Sequence, residues 1–190
     1  MRTAIFFAAL LSAAVMPAQA QMRTDPTVIA EQKAAIAKLA KLHGEWRGTA
    51  TITSPGGAIK LVQTERAGPM LDGTALVIEG RGYDEAGKLV FNAFAVISYD
   101  AATDQYAMNS WTDGRTGKFP FAVTDAGFEW SIPVPNGATI KYAATVANGK
   151  WTEVGSYVGV GMPPVEFARL DVARAGDTDW PAAGFVTPKP

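Results

Sequence analysis

The hydrophobic pattern along the chain changes its period once, close to Gly44. From residue 28 to residue 42, apolar side chains recur at helical spacing and form one broad stripe. Asp25 and Pro26 are typical of a helix start, because aspartate accepts from free N–H groups and proline has no N–H to leave unpaired. We expect Gly44 to end this helix as a left-handed cap. The sequence therefore predicts one amphipathic helix that packs on the rest of the domain.

After Gly44 the apolar positions alternate with polar ones. Trp46, Gly48 and Ala50 share one face of a first strand, and arginine and threonine residues occupy the other face. Short β-type runs separated by turn residues follow at 58–67, 73–82, 88–100, 105–112, 117–124, 128–132, 138–146, 150–158 and 165–174. About ten strands joined by tight turns favour a meander, and closure removes its two exposed edges. We predict an all-β fold, a closed antiparallel up-and-down barrel of about ten strands preceded by one N-terminal helix.

The first twenty residues are typical of a secretory leader. Arg2 precedes an apolar run at 4–16, which is too short to span a bilayer, and the run ends in the small-x-small sequence Ala18-Gln19-Ala20. A buried N-terminal helix is the alternative. We predict cleavage after Ala20, a periplasmic or secreted location and no membrane span. The predicted divisions are a signal peptide at 1–20, the helix and cap at 21–44, the barrel at 45–175 and a C-terminal tail at 176–190.

Composition excludes several kinds of chemistry. The 190 residues include no cysteine and one histidine, and the net charge is −1. Disulfides, a lipid anchor on cysteine, thiol catalysis and a zinc site of cysteine and histidine are therefore excluded. No basic run is present to bind nucleic acid. We expect neither a metal nor a cofactor, and the sequence leaves the oligomeric state open.

Several short motifs resemble a known group of proteins. They are Gly44-Glu45-Trp46, Met70-Leu71-Asp72-Gly73, Gly80-Arg81-Gly82-Tyr83-Asp84, Ile97-Ser98-Tyr99-Asp100 and Lys150-Trp151-Thr152-Glu153. In this order they resemble the DUF1579 family of uncharacterised bacterial proteins, and the G-x-W motif resembles the opening of calycin barrels. The resemblance implies a lipocalin-like barrel without an established activity. It also implies that Trp46 plugs one end of the barrel under an arginine of the last strand, either Arg174 or, as second choice, Arg169.

Aromatic and methionine side chains are the candidates for ligand contacts. A barrel of ten strands leaves more room inside than one of eight, so its lining can enclose an apolar pocket. The alternative is that the same residues form a packed core. The predicted ligand-binding residues are Phe94, Met108, Trp111, Trp130, Tyr142 and Tyr157.

A carboxylate on an inward face is the candidate for catalysis. If Trp151 points inward, alternation places Glu153 inward as well, and Glu65 and Glu79 raise the same question on earlier strands. A buried carboxylate is costly unless it is paired, so an inward glutamate is either part of a site or half of an ion pair with an arginine. The only histidine, His43, follows the helix and is better explained as part of its end than as a base.

These residues favour binding over catalysis. The first hypothesis is an exported carrier or sensor for a small, largely apolar ligand. The second is a metal-independent isomerase, cyclase or lyase that uses an interior carboxylate and a tyrosine. The third is an interaction protein for which the barrel is only a scaffold.

Overall fold

The computed structural model describes residues 25–182 and residue 186; the expected leader and the cleavage site after Ala20 lie outside these residues. The elements are α1 Pro26–Ala37, β1 Gly44–Ser54, β2 Gly57–Met70, β3 Ala75–Tyr83, β4 Leu89–Asp100, β5 Gln105–Thr112, β6 Arg115–Val123, β7 Gly127–Pro133, β8 Thr139–Ala147, β9 Lys150–Val158 and β10 Val165–Gly176. None of the helices within residues 25–182 is both long and apolar enough to cross a bilayer.

The ten strands form one closed antiparallel barrel in which each strand pairs with its neighbours in sequence and β1 also pairs with β10. This confirms the predicted fold class. The turns explain the simple order, because several contain residues that tolerate positive φ, such as Asp113, Asn136 and Asn148.

The helix begins where the sequence predicts and ends earlier. Asp25 caps it by accepting a hydrogen bond from the Thr27 N–H at 2.9 Å. α1 stops at Ala37, and a single 3-10 turn over Ala40–Leu42 follows, although the apolar stripe predicted one helix to residue 42. The tighter turn accompanies complete burial of Leu39 and Leu42.

The expectation that Gly44 caps the helix was wrong. This residue opens β1 with φ of 126°, outside the left-handed helical region. A side chain there would also collide with the barrel, since an added Cβ would lie 2.6 Å from the Gly176 carbonyl oxygen.

One end of the barrel is sealed by the helix and the turn after it. Ile36, Leu39 and Leu42 are buried in the same cluster as Trp46, and the Trp46 indole N–H donates to the Leu42 carbonyl at 2.9 Å. The Tyr106 hydroxyl donates to a helix carbonyl from the other side of the barrel, also at 2.9 Å. The hairpin turns at the opposite end have no such cover within the described residues.

Arg174 lies in register with Trp46 but makes different contacts from those expected. Its guanidinium donates to the His43 carbonyl at 3.2 Å and pairs with Asp177. Trp46 instead meets Trp151 edge to face, with ring centroids 5.9 Å apart. Arginine is thus part of this end of the barrel, while aromatic packing surrounds the tryptophan.

We expect Trp46→Phe to lower the free energy of unfolding by about 1–3 kcal/mol, because it leaves a buried carbonyl without its donor. Trp46→Ala should cost about 3–5 kcal/mol through the added cavity. The matched control is Trp111→Phe, since that indole is 46% exposed and should change stability by less than about 1 kcal/mol. Urea unfolding measures all three. Equal losses for the phenylalanine variants would contradict the sealing role of Trp46.

Candidate functional site

A cavity of about 650 Å³ occupies the barrel between the sealed end and the open turns. Its floor consists of buried residues that also belong to the core, namely Met108, Phe121, Phe128 and Trp151. Higher up, the lining combines large side chains with small ones. Ala93, Ala95, Ser110 and Ala168 line it on three strands, which leaves space that larger residues would fill.

One wall of the cavity is aromatic. The rings of Trp130 and Tyr142 stack in parallel with centroids 4.0 Å apart, and Phe119 and Phe167 contact this pair at 5.7 and 6.1 Å. Tyr142 can lie across β9 because Gly155 stands opposite it, where an added Cβ would approach the tyrosine ring to 2.7 Å. Flat apolar surface of this kind suits an apolar ligand.

Two carboxyl groups face the same cavity. Glu65 lies on β2 in register with Trp46, and Glu153 lies on β9 two residues from Trp151. The Gln63 amide donates to Glu65 Oε1 at 2.7 Å, and the Trp130 indole N–H donates to Glu153 Oε1 at 2.7 Å. Both glutamates therefore lie close to the two tryptophans, Trp46 and Trp151, that pack edge to face at the sealed end.

Glycines on β3 make room for the polar side chains of β2. Gly80 is in register with Glu65, and an added Cβ would lie 2.7 Å from Glu65 Oε2. Gly82 is in register with Gln63, and a Cβ there would lie 3.0 Å from Gln63 Oε1. Glycine inside a strand often marks such a close approach. These two glycines make room for Glu65 and Gln63, the β2 part of the polar floor.

The protein environment favours the protonated form of both carboxyl groups. Burial raises the pKa of Glu65 to about 8; the hydrogen bond from Gln63 opposes this, and the charges of Glu153 and Glu79 add to it. Burial also raises the pKa of Glu153, against the effect of the Trp130 and Trp151 indoles. The donor to Glu153 is the Trp130 indole, and Trp151 Nε1 has no partner of hydrogen-bond geometry. Both side chains are enclosed by protein yet reach the cavity, so neither is fully buried by surface area.

Glu79 faces the other side of the sheet and has a different environment. Arg66 and Arg81 hold its carboxylate at 2.6 and 2.7 Å. Burial acts to raise the pKa of Glu79, but the hydrogen bonds and charges of these arginines outweigh it, and the pKa lies below the usual value. The ion-pair alternative therefore describes Glu79, whereas Glu65 and Glu153 belong to the cavity.

The structure divides the predicted ligand-binding residues into two groups. Met108, Trp130 and Tyr142 line the cavity. Phe94 borders it, but its ring packs against Trp111 and the tail residue Trp180 with centroids 5.9 and 6.5 Å apart. Trp111 and Tyr157 are 46% and 42% exposed and lie outside the lining.

Sequence reasoning raised Glu65 only as a question and missed Gln63. The available signal was the pair of alternating glycines at 80 and 82, beside a strand with polar residues at inward positions. Within residues 25–182 no group of three or more histidine, aspartate or glutamate side chains could hold a metal ion.

The fold and the cavity define a class, an antiparallel barrel with an apolar interior and two interior carboxyls. No family model matches the chain, and no curated protein matches it. Among solved structures it is similar to Rv2717c from M. tuberculosis, with 12% identity and a TM-score of 0.55 over 74% of this chain and 96% of that one. At that identity the likeness shows the fold alone, so the DUF1579 resemblance stays a prediction.

The raised pKa of Glu65 predicts a stability that falls with pH. The folded state holds this proton more tightly than the unfolded chain, so the stabilisation is complete below about pH 4.5 and is lost as pH rises to about 8. Glu65→Gln cannot ionise, and by pH 8–9 it should be more stable than the wild type by on the order of 4 kcal/mol. Thermal unfolding between pH 4 and pH 9 measures the difference.

The same substitution at Glu79 provides the control of opposite sign. The lowered pKa of Glu79 means that its stabilisation is present at neutral pH and is lost in acid, so Glu79→Gln should be the less stable variant at pH 7. If the stabilities of the wild type and of Glu65→Gln change with pH in the same way, Glu65 is not held protonated in the barrel.

Proposed function

We propose that this protein is an exported barrel that holds one small, largely apolar ligand in its interior, as a carrier or sensor. The cavity of about 650 Å³ carries this proposal, since it lies within the range of small-molecule sites and has a mainly apolar lining with a few polar groups. The uncovered end of the barrel provides a route for the ligand.

The distribution of large and small side chains supports a pocket over a packed core. The bulky residues Leu39, Leu42 and Trp46 are concentrated at the sealed end. Toward the open end, alanine and serine line the strands opposite the aromatic wall, for example Ala95 and Ser110. A core optimised only for stability would fill this space, because each unfilled volume costs dispersion and burial energy.

Export is the second part of the proposal. It rests on the leader-like residues 1–20 with their small-x-small end at Ala20, and the absence of cysteine is compatible with any redox compartment.

Acid–base catalysis is the second candidate function, favoured by one observation. Two carboxyl groups share the cavity and have different hydrogen-bond donors, Gln63 for Glu65 and Trp130 for Glu153. Such pairs can divide the roles of acid and base. The tyrosine in the original hypothesis has less support, since Glu153 accepts from Trp130 and makes no hydrogen bond to a tyrosine hydroxyl within the described residues.

Filling the cavity should abolish binding. Ser110 points inward on β5, so Ser110→Trp should place an indole in the ligand's space and weaken binding of an apolar fluorescent probe by about tenfold or more. Probe titration followed by fluorescence measures this, and native mass spectrometry of the protein before and after solvent extraction tests for a co-purified molecule.

Ser156→Trp is the matched control, because Ser156 lies on the outer face of β9, next to the inward Gly155. This variant should bind the probe like the wild type. Absence of any binding by the wild type, or equal binding by the two tryptophan variants, would remove the support for an interior ligand site.

A further inference from the structure

We propose that the ligand carries a protonated amine, which binds between Glu65 and Glu153 at the floor of the cavity, with its apolar body toward the open end. This rests on the proposed function and narrows it to one chemical class, an apolar primary amine.

When the two glutamates are ionised, the state that a bound cation favours, hydrogen-bond acceptors outnumber donors at the cavity floor. Each glutamate receives one hydrogen bond at one oxygen, which leaves the second oxygen of each carboxyl free of a protein partner in the described residues. Gln63 adds another acceptor: its side chain is 3% exposed, and its Oε1 has no partner. The one unpaired donor nearby is the Trp151 indole N–H. A ligand that completes this set must bring mainly donors.

An ammonium group fits this set better than a neutral donor. It has three N–H groups and no acceptor, and the free oxygens come from two carboxyls and one amide. Its charge also offsets the cost of burying a carboxylate, which a hydroxyl or amide does not. The raised pKa values of both glutamates are the expected consequence when that positive charge is missing from the site.

No cation of the protein takes this place within the described residues. Arg66 and Arg81 are bound to Glu79 on the outer face of the sheet. Arg169 borders the cavity but is held by Glu166 at 2.7 Å, and Arg115 is exposed where β6 begins at the open end. Arg115 thus lies at the open end, away from the carboxyls, which favours a ligand that enters with its amine first.

Three probes with one body and different head groups test the amine. They are 4-phenylbutylamine, 4-phenylbutan-1-ol and 4-phenylbutanoate, titrated into the purified protein by calorimetry at about pH 7, where the amine is protonated. We expect the amine to bind about tenfold or more tightly than the alcohol, because a buried charge pair adds to the shared apolar contacts. The carboxylate should bind most weakly.

Isosteric variants locate the amine. Glu65→Gln and Glu153→Gln should each weaken amine binding by about tenfold or more and leave alcohol binding within about threefold. Glu129→Gln is the matched control, since Glu129 pairs with Lys141 on the outer face and should change neither affinity. The wild-type comparison of probes remains decisive even if one glutamine variant does not fold.

The outcomes separate this inference from the proposed function. If the alcohol or the carboxylate binds as tightly as the amine, the amine site is overturned but the apolar cavity stands. The same conclusion follows if both glutamine variants still prefer the amine. If the apolar fluorescent probe and all three head-group probes fail to bind, the interior ligand site itself is rejected.

Discussion

The pairing of β1 with both β2 and β10 is the constraint on which the rest of this structure depends. Closure gives every strand an inside and an outside, and side chains must then alternate between them. Trp46 determines which positions point inward. It is buried against the helix end, and residues in register with it on the neighbouring strands point the same way. Glu65 is inward for that reason, since it lies in register with Trp46. The site is thus a consequence of how the barrel is sealed.

The sealed end of the barrel and the cavity above it differ in packing and polarity. The sealed end concentrates bulky apolar side chains such as Leu39 and Leu76, which are fully buried. The middle carries two carboxyls at positions where apolar residues would be more stable. A domain without cysteines must offset that cost by packing alone, and the helix-covered end provides the packing. The dense packing at the sealed end therefore offsets the cost of the polar cavity floor beside it.

Period-two alternation accounts for how much of the fold could be predicted. It located the strands closely. Because Trp151 points inward, alternation along β9 predicted that Glu153 does too. The helix end could not be predicted, because tertiary burial of Leu39 and Leu42 accompanies the change to a 3-10 turn. Trp111 is outward by the same alternation, since Met108 and Ser110 on its strand point inward. The packing of Phe94 could not be predicted, for another reason. The C-terminal tail covers part of that face, where Trp180 stacks beneath Arg66 at 4.4 Å, and no local pattern announces such a long-range contact.

Glycines inside strands carry information about the site that hydrophobicity does not. In a closed barrel, a long side chain needs space left by a neighbouring strand in order to turn inward, and the absence of a Cβ is one way to provide it. Glu65 faces Gly80, Gln63 faces Gly82 and Tyr142 faces Gly155, each in register. Each pairing places a cavity-lining side chain opposite a residue without one. A glycine two positions from another glycine, opposite polar residues of inward parity, is therefore a physical signal for an interior polar site, and one that a single sequence contains.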